Sequence, residues 1–252
     1  MNISDLRLPI SIALVVALSF SLLARQALSQ LNITGEAAVL MDLETGKVLW
    51  AKEEKKRLQP GGTVKILTGL VALQRSRPDE LVTVSDTATS VGGFSAHLQA
   101  GEQIRMKDLL YALVVPSGND AAVAIADHVG GSVEGLVELM NVTAQRLGAE
   151  NSSFINPTGL DQEGQYTTAA DLALIARAAL ENATFHEIVA TRSRHWKSKA
   201  WEGLLINDNK LLSSYGGATG VQTGYTSEAG HCLVAAAQSG SEAYVAVVLN
   251  ST

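Results

Sequence analysis

Hydrophobic and polar residues follow a strand-like pattern at the two ends of the chain. Two apolar runs flank the turn sequence Glu44-Thr45-Gly46, which predicts a β-hairpin over residues 36–52. Near the other end, glycine-rich turns separate three apolar runs, which predict strands at residues 219–223, 231–238 and 243–250. The simplest topology is therefore one antiparallel sheet built from both ends of the chain, with helices inserted between them.

The middle of the chain has helical periodicity. Apolar residues recur at helical spacing over residues 63–73, 107–115, 133–147 and 167–180. Pro116 ends the second of these segments, and a new helix is predicted from Asn119 or Asp120 to Gly130-Gly131. Thr168 has the position of an N-cap, with Asp171 at the third helical residue. Residues 82–84 and 97–106 read as short strands or loops, so the fold class is α+β.

The first 29 residues resemble an export signal. Arg7 precedes an apolar stretch over residues 10–23, and Ala27 and Ser29 are small residues at the two positions that a signal peptidase reads. This pattern predicts a cleaved signal peptide, an exported protein and a domain over residues 30–252. An uncleaved anchor is the alternative, although the apolar stretch is short for a membrane span. Any membrane association would come from residues 1–29.

Composition excludes several classes of function. The chain has 252 residues, a net charge of −6 and no long basic run, so nucleic acid is not an expected partner. Its single cysteine, Cys232, rules out an intramolecular disulfide and a thiolate cluster. The five histidines show no ligand spacing, and we expect neither a metal nor a cofactor. Trp196 and Trp201 are read as part of a surface hairpin.

Three short segments carry candidate chemistry. They are Gly62-Thr63-Val64-Lys65 at a helix start, Ser117-Gly118-Asn119 at a break between helices, and Gln222-Thr223-Gly224 on a strand. Each alone has an ordinary structural interpretation: a solvated lysine, a helix cap and a strand bulge. They would meet in one place if the terminal sheet packs against the first helix.

Together the three segments resemble the motifs of the low-molecular-mass penicillin-binding proteins, the serine-type D-alanyl-D-alanine carboxypeptidases of the peptidase S11 family. Their pattern is Ser-x-x-Lys, Ser-x-Asn and Lys-Thr-Gly. The resemblance covers residues 36–249 and includes MDLETGKVLW, NPTGL and TGYTSEAGHCLV. It implies a penicillin-binding protein/β-lactamase-like transpeptidase fold, with the site between the sheet and a helical subdomain. It also implies the family reaction, in which a serine acyl-enzyme removes the terminal D-Ala from a peptidoglycan stem pentapeptide.

Two positions depart from the family pattern. Gly62 stands where the family has its nucleophilic serine, and Gln222 stands where it has the lysine of the third motif. A glycine has no side chain to acylate. The nearest hydroxyl, that of Thr63, lies about 100° further around the helix axis and should face away from Lys65. Without a charge at residue 222, recognition of the substrate carboxylate should weaken by roughly 1.5–3 kcal/mol.

The resemblance assigns the remaining roles. Lys65 would be the base, Ser117 a proton relay and Asn119 a partner for the substrate backbone. The backbone N–H groups of Gly62 and Tyr225 would form the oxyanion hole.

Thr223 and Gly224 belong with Gln222 and Tyr225 to the expected substrate-binding strand. Two lysines in one cleft lower each other's pKa, so with Gln222 we expect Lys65 to be more fully protonated than its family counterpart.

The sequence thus predicts a family member with hydrolysis absent or severely reduced. Such a protein would bind D-Ala-D-Ala stem peptides noncovalently, and would bind β-lactams noncovalently at most. The alternatives are an active carboxypeptidase with a substitute nucleophile and a pure interaction or scaffold protein of the cell envelope. A β-lactamase is less favoured because no deacylating glutamate loop is evident. The chain ends earlier than its relatives, which is expected to leave one sheet face partly bare and to allow a dimer.

Overall fold

The computed structural model describes residues 32–252. The predicted signal segment, residues 1–29, lies outside the described residues. Within the described part of the chain, no helix has the length and apolar character needed to cross a membrane.

A five-stranded antiparallel sheet joins the two ends of the described chain, in the order β2-β1-β9-β8-β7. The first strand pairs with the last, so that Ala37 lies opposite Leu249. The prediction of one sheet built from both ends is confirmed, and each C-terminal strand is longer than predicted. The strands are β1 (Ala37–Asp42), β2 (Val48–Lys52), β7 (Ala218–Thr226), β8 (Gly230–Ser239) and β9 (Glu242–Ser251).

Helices and two small hairpins fill the sequence between β2 and β7. The helices are α1 (Lys65–Arg75), α2 (Asp86–Ser90), α3 (Met106–Val114), α4 (Asn119–Gly130), α5 (Val133–Arg146), α6 (Ala169–Leu180), α7 (Ala183–Val189) and α8 (Leu211–Ser214). The hairpins pair β3 (Leu81–Thr83) with β4 (Gln103–Arg105), and β5 (Ser193–Lys197) with β6 (Glu202–Ile206). The five predicted helices and the break at Pro116 are confirmed. The short helices α2, α7 and α8 were not predicted, because so few residues show no periodicity.

Helix α1 lies at the centre of the fold and packs on α3, α4, α5 and α6. It begins two residues later than predicted, because Gly61–Val64 form a 3₁₀ turn instead. In that turn the Thr63 hydroxyl donates to the Pro60 carbonyl at 2.6 Å. The same turn contacts β7 and β8, so it connects the central helix to one side of the sheet.

Local signals at the helix ends agree with the structure. Thr168 caps α6, and its hydroxyl accepts a hydrogen bond from the backbone N–H of Asp171 at 3.1 Å. Helix α6 lies against β1 and β9, and this cap therefore helps to anchor a helix that covers the sheet.

The hairpin of β5 and β6 is present, but the prediction that its tryptophans lie at the surface is wrong for Trp196. That side chain is 3% exposed and belongs to the hydrophobic core. The indole N–H of Trp201, which is partly buried, donates to the Ala96 carbonyl at 2.7 Å. Burial of these large aromatic surfaces outweighs the polar residues that surround them in the sequence.

Candidate active site

The three segments singled out in the sequence meet at one cleft of about 740 Å³. The 3₁₀ turn and α1 form its floor, the connection between α3 and α4 forms one wall, and β7 forms the other. Gln222 contacts the cleft through Ser117. The other expected site residues all line it, namely Gly62, Lys65, Ser117, Asn119, Thr223, Gly224 and Tyr225. The convergence inferred from the sequence is therefore observed, while the roles of these residues stay predictions.

Two glycines allow the cleft floor to be assembled from separate parts of the chain. A Cβ atom on Gly224 would collide with the backbone nitrogen of Gly62, and one on Gly159 would collide with the Gly61 carbonyl. Strand β7 and the NPTGL turn thus both pack directly on the backbone of the 3₁₀ turn. A side chain at residue 224 would push β7 away from the 3₁₀ turn, and one at residue 159 would push the NPTGL turn away from it.

Residue 62 borders the centre of the cleft and contributes only backbone to it. A Cβ atom built on Gly62 would lie 3.0 Å from the Thr223 carbonyl oxygen, 3.2 Å from Gly224 Cα and 3.2 Å from Ser117 Oγ. Of these three nearest atoms, only Ser117 Oγ belongs to a side chain. A residue-62 side chain would therefore project into the cleft beside Ser117.

Lys65 is the first residue of α1 and its side chain is 2% exposed. Its ammonium group donates to the Thr158 carbonyl at 2.6 Å. Burial lowers the pKa of Lys65 from its usual value of 10.5 to about 7, and the nearby negative charge of Asp120 opposes that shift. Loss of solvation therefore lowers this pKa without a second lysine, a cause that the sequence did not reveal. The expected difference from a Gln222→Lys variant stays a prediction.

Ser117 lies in a left-handed backbone conformation, with φ of +57°, directly before the first turn of α4. This conformation is uncommon for a residue with a Cβ atom. Its Oγ atom accepts a hydrogen bond from Gln222 Nε2 at 3.2 Å, and the same amide group donates to the Thr223 carbonyl. Gln222 thus retains one contact between β7 and the serine of the second motif.

Gln222 is otherwise poorly accommodated. Its side chain is 2% exposed, and its Oε1 atom has no hydrogen-bond partner among the residues that the structure describes. Thr223 O can only accept, which fixes the amide nitrogen on the Ser117 side of the group. The acceptor oxygen is left buried and unpaired, which is costly.

Asn119 begins α4 and is held by the loop across the cleft mouth. Its backbone N–H donates to the Phe94 carbonyl at 2.7 Å, and its Nδ2 donates to the Gly92 carbonyl at 2.7 Å. One N–H of the side-chain amide is thus used within the protein, and no residue that the structure describes donates to its amide oxygen, which can accept from a ligand.

Sequence reasoning missed Asp120, Thr158 and the Asp161 loop as parts of the site. The buried carboxylate of Asp120 accepts hydrogen bonds from Ser95 Oγ and from the backbone of Ala96, and so fixes the loop opposite Lys65. Asp161 accepts from Thr226 Oγ1 and from Ser227 Oγ beyond the end of the third motif. Only the NPTGL turn offered a signal for this region.

Comparison with known proteins identifies the family. The family model described as D-alanyl-D-alanine carboxypeptidase, Peptidase S11, matches residues 24–252. The chain therefore belongs to this family. It is 37% identical over 233 residues to D-alanyl-D-alanine carboxypeptidase DacF of Bacillus subtilis, an alignment that covers 89% of this chain and 59% of that protein. It is 34% identical to a D-alanyl-D-alanine carboxypeptidase of a Streptomyces species, with 95% of this chain and 89% of that protein covered.

Solved structures with the same fold include a mutant of a Streptomyces DD-transpeptidase. That structure matches with a TM-score of 0.84 and 35% identity, over 88% of this chain and 92% of the other. A D-alanyl-D-alanine carboxypeptidase from Mycobacterium tuberculosis matches with the same TM-score and 33% identity, over 88% and 84% of the two chains. The predicted penicillin-binding protein fold is confirmed. The chain spans little more than half the length of the Bacillus relative and most of the Streptomyces one.

Proposed function

We propose that this protein binds peptidoglycan stem peptides ending in D-Ala-D-Ala in the cleft between α1, α4 and β7, and that hydrolysis by the family route is absent or severely reduced. The proposal rests mainly on residue 62, which has no side chain. It borders the cleft beside Ser117 and Lys65 and offers only backbone where the family attacks the substrate. β-Lactams, which share the family cleft, bind there reversibly by the same argument.

The remaining groups support peptide binding. The cleft is lined by residues of β7, the edge strand of the described sheet, and by Asn119, whose amide oxygen can accept from a peptide N–H. Lys65 has a pKa near 7 and is partly charged at neutral pH, which adds attraction for a terminal carboxylate. Gln222 supplies a neutral hydrogen-bond donor in place of the family charge.

The export signal read from the sequence, together with the cell-wall substrate of the family, supports an extracytoplasmic location. Membrane association through residues 1–29 and a dimer stay predictions from the sequence.

Calorimetric titration with an acylated Lys-D-Ala-D-Ala tripeptide tests the proposal, with the L-Ala-L-Ala isomer as the control. We expect saturable binding of the D-isomer, weaker binding of the control and no D-Ala release above background on the time scale of an active relative. Equal binding of the two isomers would contradict the assigned ligand. Rapid D-Ala release would contradict the loss of hydrolysis.

A further inference from the structure

The space left by the missing side chain at residue 62 lies within reach of a second hydroxyl. A Cβ atom on residue 62 would lie 3.2 Å from Ser117 Oγ, which is the one side-chain atom among its three nearest neighbours. Reacting atoms in productive enzyme complexes approach to about 3–3.5 Å before bond formation. Because residue 62 has no side chain, it does not block the approach of a ligand carbonyl to Ser117 Oγ, which lines the same cleft.

We propose that Ser117 is the residual nucleophile of this cleft and is slowly acylated by β-lactams and by D-Ala-D-Ala peptides. This inference rests on the proposed function, because the ligand must first occupy the cleft. Reversible binding is then the rapid phase, and acylation of Ser117 is the slow phase that follows it.

The hydrogen bonds around Ser117 suit this role. Its only hydrogen bond within the described residues is the one it accepts from Gln222 Nε2 at 3.2 Å. The hydroxyl proton is therefore not committed to a protein acceptor there. Gln222 fixes the orientation of the oxygen and leaves its proton for a base.

Three neighbouring threonine hydroxyls donate to other acceptors. Thr63 is fully buried, does not line the cleft and donates to the Pro60 carbonyl at 2.6 Å. Thr158 Oγ1 donates to Asn156 Oδ1 at 2.9 Å, and Thr226 Oγ1 donates to Asp161. Thr223 and Tyr225 also bring hydroxyl groups to the cleft, but the side-chain atom nearest the residue-62 Cβ position is Ser117 Oγ.

Lys65 can serve as the base for the step. Its pKa near 7 means that a large fraction of the side chain is neutral at pH 7 and above. A neutral amine keeps two N–H bonds and one lone pair. One N–H can continue to donate to the Thr158 carbonyl while the lone pair accepts the proton of Ser117.

The reaction with a β-lactam balances without a co-reactant. The Ser117 Oγ–carbonyl carbon bond forms, the carbon–nitrogen bond of the lactam ring breaks, and the proton passes from Oγ through Lys65 to the ring nitrogen. The adduct therefore has the mass of the protein plus one whole β-lactam. With a peptide, the same steps release D-Ala as the amine, and water then hydrolyses the Ser117 ester.

Intact-mass measurement of the purified full chain after long incubation with excess benzylpenicillin tests the inference, followed by tandem mass spectrometry of a protease digest. We expect one adduct, mapped to Ser117, forming at least about a thousandfold more slowly than in a Gly62→Ser variant. In Ser117→Ala the adduct should fall at least about tenfold, and in Ser117→Cys it should return at residue 117.

Thr63→Val is the matched control, since it removes the neighbouring hydroxyl in sequence and keeps the β-branched shape. It should leave adduct formation within about twofold of the parent chain. Thermal melts and calorimetric titration with benzylpenicillin show whether each variant is folded and binds reversibly.

The outcomes separate the two proposals. Reversible binding of benzylpenicillin without an adduct, or an adduct on Thr63 or any residue other than Ser117, would overturn the inference and leave the proposed function standing. Absence of reversible binding of both benzylpenicillin and the D-Ala-D-Ala peptide would overturn both proposals.

Discussion

The two walls of the cleft differ in how completely their polar groups are bonded. Around the floor and the helical wall, Lys65 donates to Thr158, Asn119 donates to Gly92, and Asp120 accepts from Ser95. On the strand wall, the buried Oε1 of Gln222 has no partner within the described residues, and residue 62 in the floor has no side chain. Lys65 and Asn119, two of the predicted site residues, thus also bond to the loops around the cleft.

This difference has a physical reason. A group that satisfies buried donors or acceptors cannot be lost without leaving those partners unpaired, at about 1–3 kcal/mol each. A nucleophilic hydroxyl that faces an open cleft satisfies a substrate and contributes little to the folded state. A nucleophilic hydroxyl can therefore be absent from residue 62 while the fold around that residue stays intact.

The largest expected effect comes from restoring the missing group. Gly62→Ser should raise the rate of β-lactam acylation by about a thousandfold or more and move the adduct to residue 62, because the new side chain would lie beside Ser117 in the cleft that Lys65 also lines. The rate is measured by intact mass against time. Gly62→Ala is the control, because it adds the Cβ atom without an oxygen. A comparable gain in Gly62→Ala would mean that shape, and not the nucleophile, limits the reaction.

The second effect concerns the buried lysine. The pKa of Lys65 is lower in the folded chain than the unfolded value of 10.5, so the unfolded state binds more protons between pH 7 and 10.5. The penalty of burying this group is fully present below about pH 7 and fades as pH rises toward 10.5. Lys65→Met should therefore stabilise the protein at pH 6 by up to about 5 kcal/mol, since each pKa unit between 10.5 and about 7 corresponds to about 1.4 kcal/mol, with a smaller gain at pH 10.

Denaturant unfolding at pH 6 and pH 10 checks this prediction, with Lys107→Met as the control because that lysine is exposed and paired with Glu187. Lys107→Met should give no such gain at either pH. Lower stability of Lys65→Met at pH 6 would mean that its bond to the Thr158 carbonyl outweighs the cost of burial.

A third, smaller effect should come from restoring charge to the strand wall. Gln222→Lys should tighten binding of a D-Ala-D-Ala peptide by about 10- to 100-fold, because a cation replaces a neutral donor beside the carboxylate. It should also lower the pKa of Lys65 through like-charge repulsion. Calorimetry measures the first change and NMR titration of the lysine side chain measures the second. An unchanged or higher pKa of Lys65 would refute the expected repulsion.

The smallest effect compares the two walls directly. Gln222→Leu removes a buried carbonyl without a described partner, together with an amide that donates to Ser117 Oγ and the Thr223 carbonyl. The gain and the losses should largely cancel, so the free energy of unfolding should change by less than about 1 kcal/mol. Asn119→Leu removes a donor that the Gly92 carbonyl uses and should cost about 1 kcal/mol or more. Equal losses in the two variants would mean that both walls are bonded equally well in solution.

Much of the architecture followed from periodicity and from turn chemistry. Strand alternation at the two ends predicted the sheet, and the pairing of Ala37 with Leu249 confirms it. Thr168 and Pro116 identified helix boundaries because caps and proline act locally. Trp196 was misplaced because its burial depends on the whole core and not on its neighbours in the sequence.

For the site, residue identity alone determined that residue 62 is a glycine and residue 222 a glutamine, at the positions predicted for the nucleophile and the third-motif lysine, since no fold can supply atoms that a side chain lacks. Only the tertiary structure determined the pKa, the hydrogen bonds and the positions of the other site residues. Burial lowers the pKa of Lys65, Gln222 donates to Ser117, and the Ser117 hydroxyl borders the space beside residue 62. These properties arise from desolvation and from distances between residues up to 105 positions apart, which no local pattern encodes.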